Sequence, residues 1–160
     1  MAFTVSGTAF KVSASRLDSH GFVQYVSLDR MADGKGRPVA VTGLGSAELR
    51  DLCQSVVTPT PLGPVTLRVS AGEDEPVRVE NMVIDLEHMQ GDVTFEDLEL
   101  GRDASASRLP FVAGQTGVYS QQATRMTVRD LRQRTSSLTA GMFRLPGMRV
   151  SATFGRRECF

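Results

Sequence analysis

The chain has no tryptophan and only two tyrosines, Tyr25 and Tyr119, in 160 residues. That argues against a surface built to stack on sugar rings. Lysine is scarce too: Lys11 and Lys35 stand against 16 arginines, a bias that reads as GC-rich codon usage. Formal net charge is zero, so bulk electrostatics gives no reason to expect a nucleic acid as partner. No apolar run approaches the roughly 18 residues of a membrane-spanning helix, so no membrane span is expected. The two cysteines, Cys53 and Cys159, form no CxxC pair and no Cys–His motif, and nothing in the spacing suggests a metal or another cofactor.

What is present is a hydrophobic fraction of 41 %, ordinary for a globular protein. Residues 1–160 are expected to form one domain with a real core. Two distant cysteines suit one disulfide. Closing a loop of about 100 residues would contribute roughly 4 to 5 kcal/mol and would pin the tail GRRECF. Two unpaired thiols in a cytosolic protein is the alternative. A cysteine in a charged tail has no packing role to explain it, which favours the bond and an exported location.

Val, Thr, Phe and Leu occur in short runs punctuated by Gly, Pro, Asp and Ser, the signals of strands and turns. FTVSGTAFKVSA alternates with period two, and GFVQYVSLD, PVAVTG, PVTLRVSA, PVRVENMVIDLEHM and DVTFEDLELG continue the series. DRMADGKG reads as a hairpin turn on Asp33-Gly34, because Met31 occupies a ligand position of the calcium-loop pattern. Helix signals are few. Ser46 is a plausible N-cap for SAELRDLCQSV, but the Ala47, Leu49, Leu52 spacing recurs among strands. The expected fold is all-β, mainly antiparallel, either a sandwich or a strongly curved sheet, with little helix.

One frame recurs: apolar, any, apolar, two polar, apolar. It is AELRDL (47–52), VTFEDL (93–98), MTVRDL (126–131) and, with Pro-Gly as the pair, FRLPGM (143–148). The two-residue insert breaks strict alternation as a β-bulge or tight β-arc does. The frames are irregularly spaced along the chain, so they predict a bent strand reused to curve a sheet rather than a regular solenoid. Residues 101–125, small and polar around Leu109-Pro110-Phe111-Val112, read as a long connection.

Charge is segregated. Residues 73–100 hold ten acids and one base, and residues 125–160 hold eight arginines and two acids. Either these strands neighbour each other and their faces complement, or the molecule stacks head to tail as a homo-oligomer.

No residue set identifies a reaction. Asp18-Ser19-His20 has the letters of a hydrolase triad, but adjacent residues cannot point at one another. GLGSAEL lacks the nucleophile-elbow spacing. Asp85 and Glu87 share one strand face and His88 lies on the other, a poor ligand set. GEDEP (72–76) reads as a solvated acidic turn. No catalytic residue is selected. Phenylalanines and methionines are spread over many strands, and a curved sheet can leave a gap that takes a lipid tail. Phe10, Phe22, Phe95, Phe111 and Phe143 are the candidate apolar-ligand contacts.

The opening FTVSGTAFKVSASRLDSHGFVQY, then DLCQSVVTPTPLGPVTL, PVRVENMVIDLEHMQGDVTFEDLELGRDA, the SQQAT stretch and the close TAGMFRLPGMRVSATFGRRECF resemble a family of exported actinobacterial proteins. The family is mostly uncharacterised, and some members carry an automatic "cholesterol esterase" label. The resemblance covers nearly the whole chain and puts both cysteines at the family's places, with shorter loops around 101–118. It implies export, a leader ahead of Met1 and a Cys53–Cys159 bridge. It brings no established active site. The expectation is therefore a secreted or cell-surface protein that is not an enzyme and that holds a lipid or isoprenoid in a Phe/Met-lined fold. The alternatives are a self-assembling structural surface protein, joined through acidic 73–100 and basic 125–160, and, below that, a lipid ester hydrolase.

Overall fold

The computed structural model describes residues 5–160, and Phe3 of the opening alternation lies outside them. Alternating Val, Thr, Phe and Leu place apolar and polar side chains on opposite faces of an extended chain. Eight strands result: β1 (Phe10–Arg30), β2 (Gly36–Arg50), β3 (Leu52–Thr60), β4 (Gly63–Ala71), β5 (Val77–Glu96), β6 (Glu99–Asp103), β7 (Tyr119–Arg144) and β8 (Arg149–Phe154). Among the described residues there is no helix, and SAELRDLCQSV runs extended from β2 into β3. The β1–β2 turn sits on Asp33-Gly34, with Gly34 at φ +83° and the Met31 amide donating to the Lys35 carbonyl at 2.9 Å. The connection read at 101–125 is narrower in the fold, because β6 extends to Asp103 and β7 begins at Tyr119.

All strands pair antiparallel in one sheet, ordered β6-β7-β5-β2-β1-β3-β4-β8, with β7 also paired to β1. That extra pairing makes a ring of β1, β2, β5 and β7. The architecture is thus the strongly curved sheet of the two alternatives, not a sandwich. The ring winds like a screw. A walk across the paired strands from Gly141 on β7 passes Asn81, Gly45 and Gly21, then reaches β7 again at Thr124, 17 residues nearer its start. With a rise of roughly 3.3 Å per residue and strands roughly 4.8 Å apart, that offset over four strands tilts them roughly 70° from the axis.

The same walk follows a line of bends. Gly21, Gly45, Asn81 and Gly141 all drop out of the regular ladder, and Gly21 and Asn81 have φ of +84° and +51°. A second line lies six residues away on most strands. On it, Asp51 and Asp130 both stand opposite Ser15, and the Asp51 amide donates to the Gly72 carbonyl, whose own amide donates to Pro146. Here the recurring frame finds its meaning. Its second polar residue is Asp51, Asp97, Asp130 or Gly147, and these have φ of 52°, 52°, 54° and 64°. Aspartate tolerates this left-handed region better than most side chains, and glycine enters it freely. The two lines of bends thus lie six residues apart on a circuit of 17.

The inner faces bury one continuous core, including Leu17, Phe22, Leu44, Leu49, Val79, Met82, Ile84, Val128 and Leu131. The frames AELRDL and MTVRDL lie inside it. VTFEDL and FRLPGM run out towards the sheet's two ends, where Leu98 and Met148 are exposed.

β3, β4 and β8 continue past the start of β1 as a three-stranded wing. Cys53 and Cys159 are bonded, with Cα atoms 5.9 Å apart. The bond lays the tail along the polar face of the wing. The Cys159 amide donates to Ser55 Oγ, the Arg157 amide donates to Thr66 Oγ1, and the Thr66 hydroxyl donates to the Gly155 carbonyl. Lys11 caps the end, 3.2 Å from Glu158 and 5.0 Å over the Phe160 ring.

Two outcomes follow for thermal denaturation. A Cβ on Gly45 would sit 2.6 Å from the His20 carbonyl oxygen. Gly45→Ala is therefore expected to cost about 2 kcal/mol, a Tm fall of about 4 °C or more. Cys53→Ser removes a cross-link between residues 106 apart. It should lower Tm by about 8 °C or more, and reduction of the wild type should do the same. A shift under about 2 °C would mean the tail contacts hold without the bond.

Candidate functional site

Four strands wound around a core leave a gap where large side chains give way to the wing. A cavity of about 470 Å³ opens there, lined by Phe10, Val12 and Leu17 of β1, Leu49 of β2, Leu52 and Gln54 of β3, and Val69 of β4. Met82 and Ile84 of β5 form its back wall. Leu131, Gln133, Leu138 and Phe143 of β7 close the other side. The lining is mostly apolar, with Gln54, Gln133, Ser136 and Ser137 as its polar points. Of these, Gln133 donates to Thr135 Oγ1 at 3.1 Å.

The five candidate phenylalanines divide by height along the bore. Phe10 and Phe143 line the cavity. Phe22 and Phe95 instead pack on each other in the core, ring centroids 5.0 Å apart, and do not reach it. Phe111 sits on the rim of a second, polar cavity, carried there by the 104–118 connection, whose buried Val112 packs over Gly43. Sequence reading missed the aliphatic lining and the two glutamines. Gln133 was findable: it stands two residues from Leu131 and two from Thr135, on the inward face of β7.

The second cavity, also about 470 Å³, brings the carboxyls of Asp29 and Asp85 together. Ser136 Oγ donates to Asp29 Oδ2 at 2.6 Å and Ser137 Oγ donates to Asp85 Oδ2 at 3.0 Å. Burial and the neighbouring Asp29 carboxyl push Asp85 up to about 7, against the Ser137 hydrogen bond. Tyr25, whose hydroxyl donates to the Ala113 carbonyl, is raised by burial and by Asp85. Both serine hydroxyls are thus engaged with carboxylates rather than with a histidine, which is not the arrangement that activates a serine nucleophile.

The charged segments meet across the sheet. Glu87 lies between Arg37 at 3.2 Å and Arg134 at 3.6 Å, and Arg125 lies between Asp18 at 3.4 Å and Glu96 at 3.6 Å. Hydrogen bonds from Arg16 and Thr127 hold Asp18 below its ordinary range. The acidic run on β5 and the basic run on β7 are therefore neighbours that offset each other within one chain. Among the described residues, no three His, Cys, Asp or Glu side chains converge as a metal site. Among the same residues no helix is long and apolar enough to cross a membrane, which leaves β-barrels unaddressed.

A closed, screw-wound antiparallel sheet around an apolar bore, locked by one disulfide, defines the class. Residues 6–160 match the family of unknown function DUF6230, and the chain belongs to it. No curated protein and no solved structure is significantly similar to it.

Asp85 sets a pH dependence. Folded, it keeps its proton up to about 7, whereas unfolded it releases the proton near 3.8. The folded chain binds more protons between those values, so its stability falls as pH rises through that window. Asp18, Glu99 and Asp103, all held below their ordinary ranges, act at lower pH. Tm should therefore decline from about pH 5 to about pH 8, and Asp85→Asn should flatten the decline. An identical slope in that variant would assign the effect elsewhere.

Proposed function

We propose that this is an exported protein that holds an apolar small molecule, a lipid or isoprenoid, inside the wound sheet and performs no chemistry on it. The observation that carries this is the cavity of about 470 Å³ bounded by Phe10 and Phe143. Sites for small organic ligands commonly span about 300 to 1,000 Å³ and are mostly apolar, with a few convergent polar groups. Gln54 and Gln133 supply such groups for a hydroxyl, carbonyl or carboxyl end. Export is supported by the Cys53–Cys159 bond, which persists in oxidising compartments.

Native mass spectrometry of the non-reduced, secreted protein should show excess mass that denaturation releases. After delipidation, a fluorescent polyene fatty acid should bind and gain fluorescence. Leu138→Trp, which fills the space from a half-buried position on β7, should weaken that probe by about tenfold or more while leaving Tm within a few degrees. A probe that binds neither protein, together with no released mass, would sink the reading.

A further inference from the structure

The wing has two unlike faces, and the tail covers the wrong one for burial of apolar surface. Gly155–Phe160 lies against Ser55 and Thr66 on the polar face. On the other face, Val65 stands opposite Phe154, Leu67 opposite Ala152 and Val69 opposite Val150; Val65 and Val69 are half-buried, whereas Leu67, Ala152, Val150 and Phe154 are exposed among the described residues. Leu62, at the tip of the β3–β4 hairpin, is 82 % exposed, and Phe154 beside that tip is 64 % exposed. All six residues of β8 are exposed, and β8 ends the sheet. Contiguous apolar surface of this kind marks an interaction site. It also runs into the cavity, because Val69 and Gln54, a cross-strand pair on that face, line the cavity wall.

Charge selects the occupant. The chain has no acid between Asp130 and Glu158, and among the described residues Arg68, Arg149 and Arg157 on the wing and tail make no ion pair. A second copy paired along β8 would gather Arg149, Arg156 and Arg157 of both chains at one seam, like charge against like. A surface with an apolar interior and anionic headgroups fits both features at once. The apolar tip enters the boundary, and the arginines, with long flexible stems, reach round the thin wing to the headgroups.

We propose that the wing docks the protein on an anionic lipid surface through Leu62, Leu67, Val150 and Phe154, and that the cavity loads from that surface along the same face. The loading half rests on the lipid-holding reading above, whereas docking does not.

Flotation with vesicles of equal parts phosphatidylglycerol and phosphatidylcholine tests it. The wild type should float with them and hardly at all with phosphatidylcholine alone. Leu62→Asp with Phe154→Asp should cut the floated fraction by about tenfold, with Tm and the affinity for the fatty-acid probe unchanged. Arg68→Gln with Arg149→Gln should lose binding severalfold, through the anionic vesicles only. No flotation of the wild type, or equal flotation of the Leu62/Phe154 variant, overturns the proposal. So does a dimer by light scattering that the Leu62/Phe154 variant splits without any vesicle binding, which assigns the face to a second copy. Flotation without probe binding would retain the docking surface and remove the cavity reading.

Discussion

The alignment of backbone bends across neighbouring strands is the constraint on which everything else depends. A bend in one antiparallel strand would strain its partner's hydrogen bonds unless the partner bent at the same level. Gly21, Gly45, Asn81 and Gly141 meet that condition in one line, and Ser15, Asp51, Gly72 and Asp130 meet it in the next. Once the bends align, the sheet can curl and return to its own first strand. Closure removes the edges from the middle of the molecule and leaves them towards its ends, at β6, at β8 and along residues 56–60 of β3.

Closure also explains why the apolar space lies where it does. Phe22, buried in the core, and Phe95, half-buried against it, pack ring on ring. Towards the wing the ring is incomplete, since β3 and β4 extend past β1, and Phe10 and Phe143 stand apart with room between them. The disulfide and the Lys11–Phe160–Glu158 cap hold the tail on the polar side. Buried Ser55 and Thr66 are satisfied there, and on the opposite, apolar side Leu67, Val150 and Phe154 are exposed among the described residues.

Much of the curvature was legible in the residues. AELRDL, VTFEDL, MTVRDL and FRLPGM announce a break in alternation, and each break is a left-handed residue in the fold. The Asp33-Gly34 turn was legible for the same local reason. What local pattern cannot carry is register. Alternation says that Phe10, Phe22, Phe95 and Phe143 sit in strands, but their height along the bore depends on pairings between residues over a hundred positions apart, such as Phe10 with Thr135. The same holds for Asp29 and Asp85, which converge through Ser136 and Ser137 of a third strand. Phe111 stands at the second cavity and not the first because its position depends on a connection that has no pattern of its own.

Strand β7 is bonded along both edges, to β5 on one side and to β1 on the other. The hairpins β1–β2 and β3–β4 can form from neighbouring chain, but the ring cannot shut until β7 has been made and threaded between its partners. That gives folding a strongly non-local final step, slow in the way that high contact order makes β proteins slow. Until that strand arrives, the inner faces of β1, β2 and β5 stand open to water and to other chains. The time before closure is therefore when this protein is most exposed to aggregation, and variants that weaken the β1–β7 seam should show it in yield before they show it in stability.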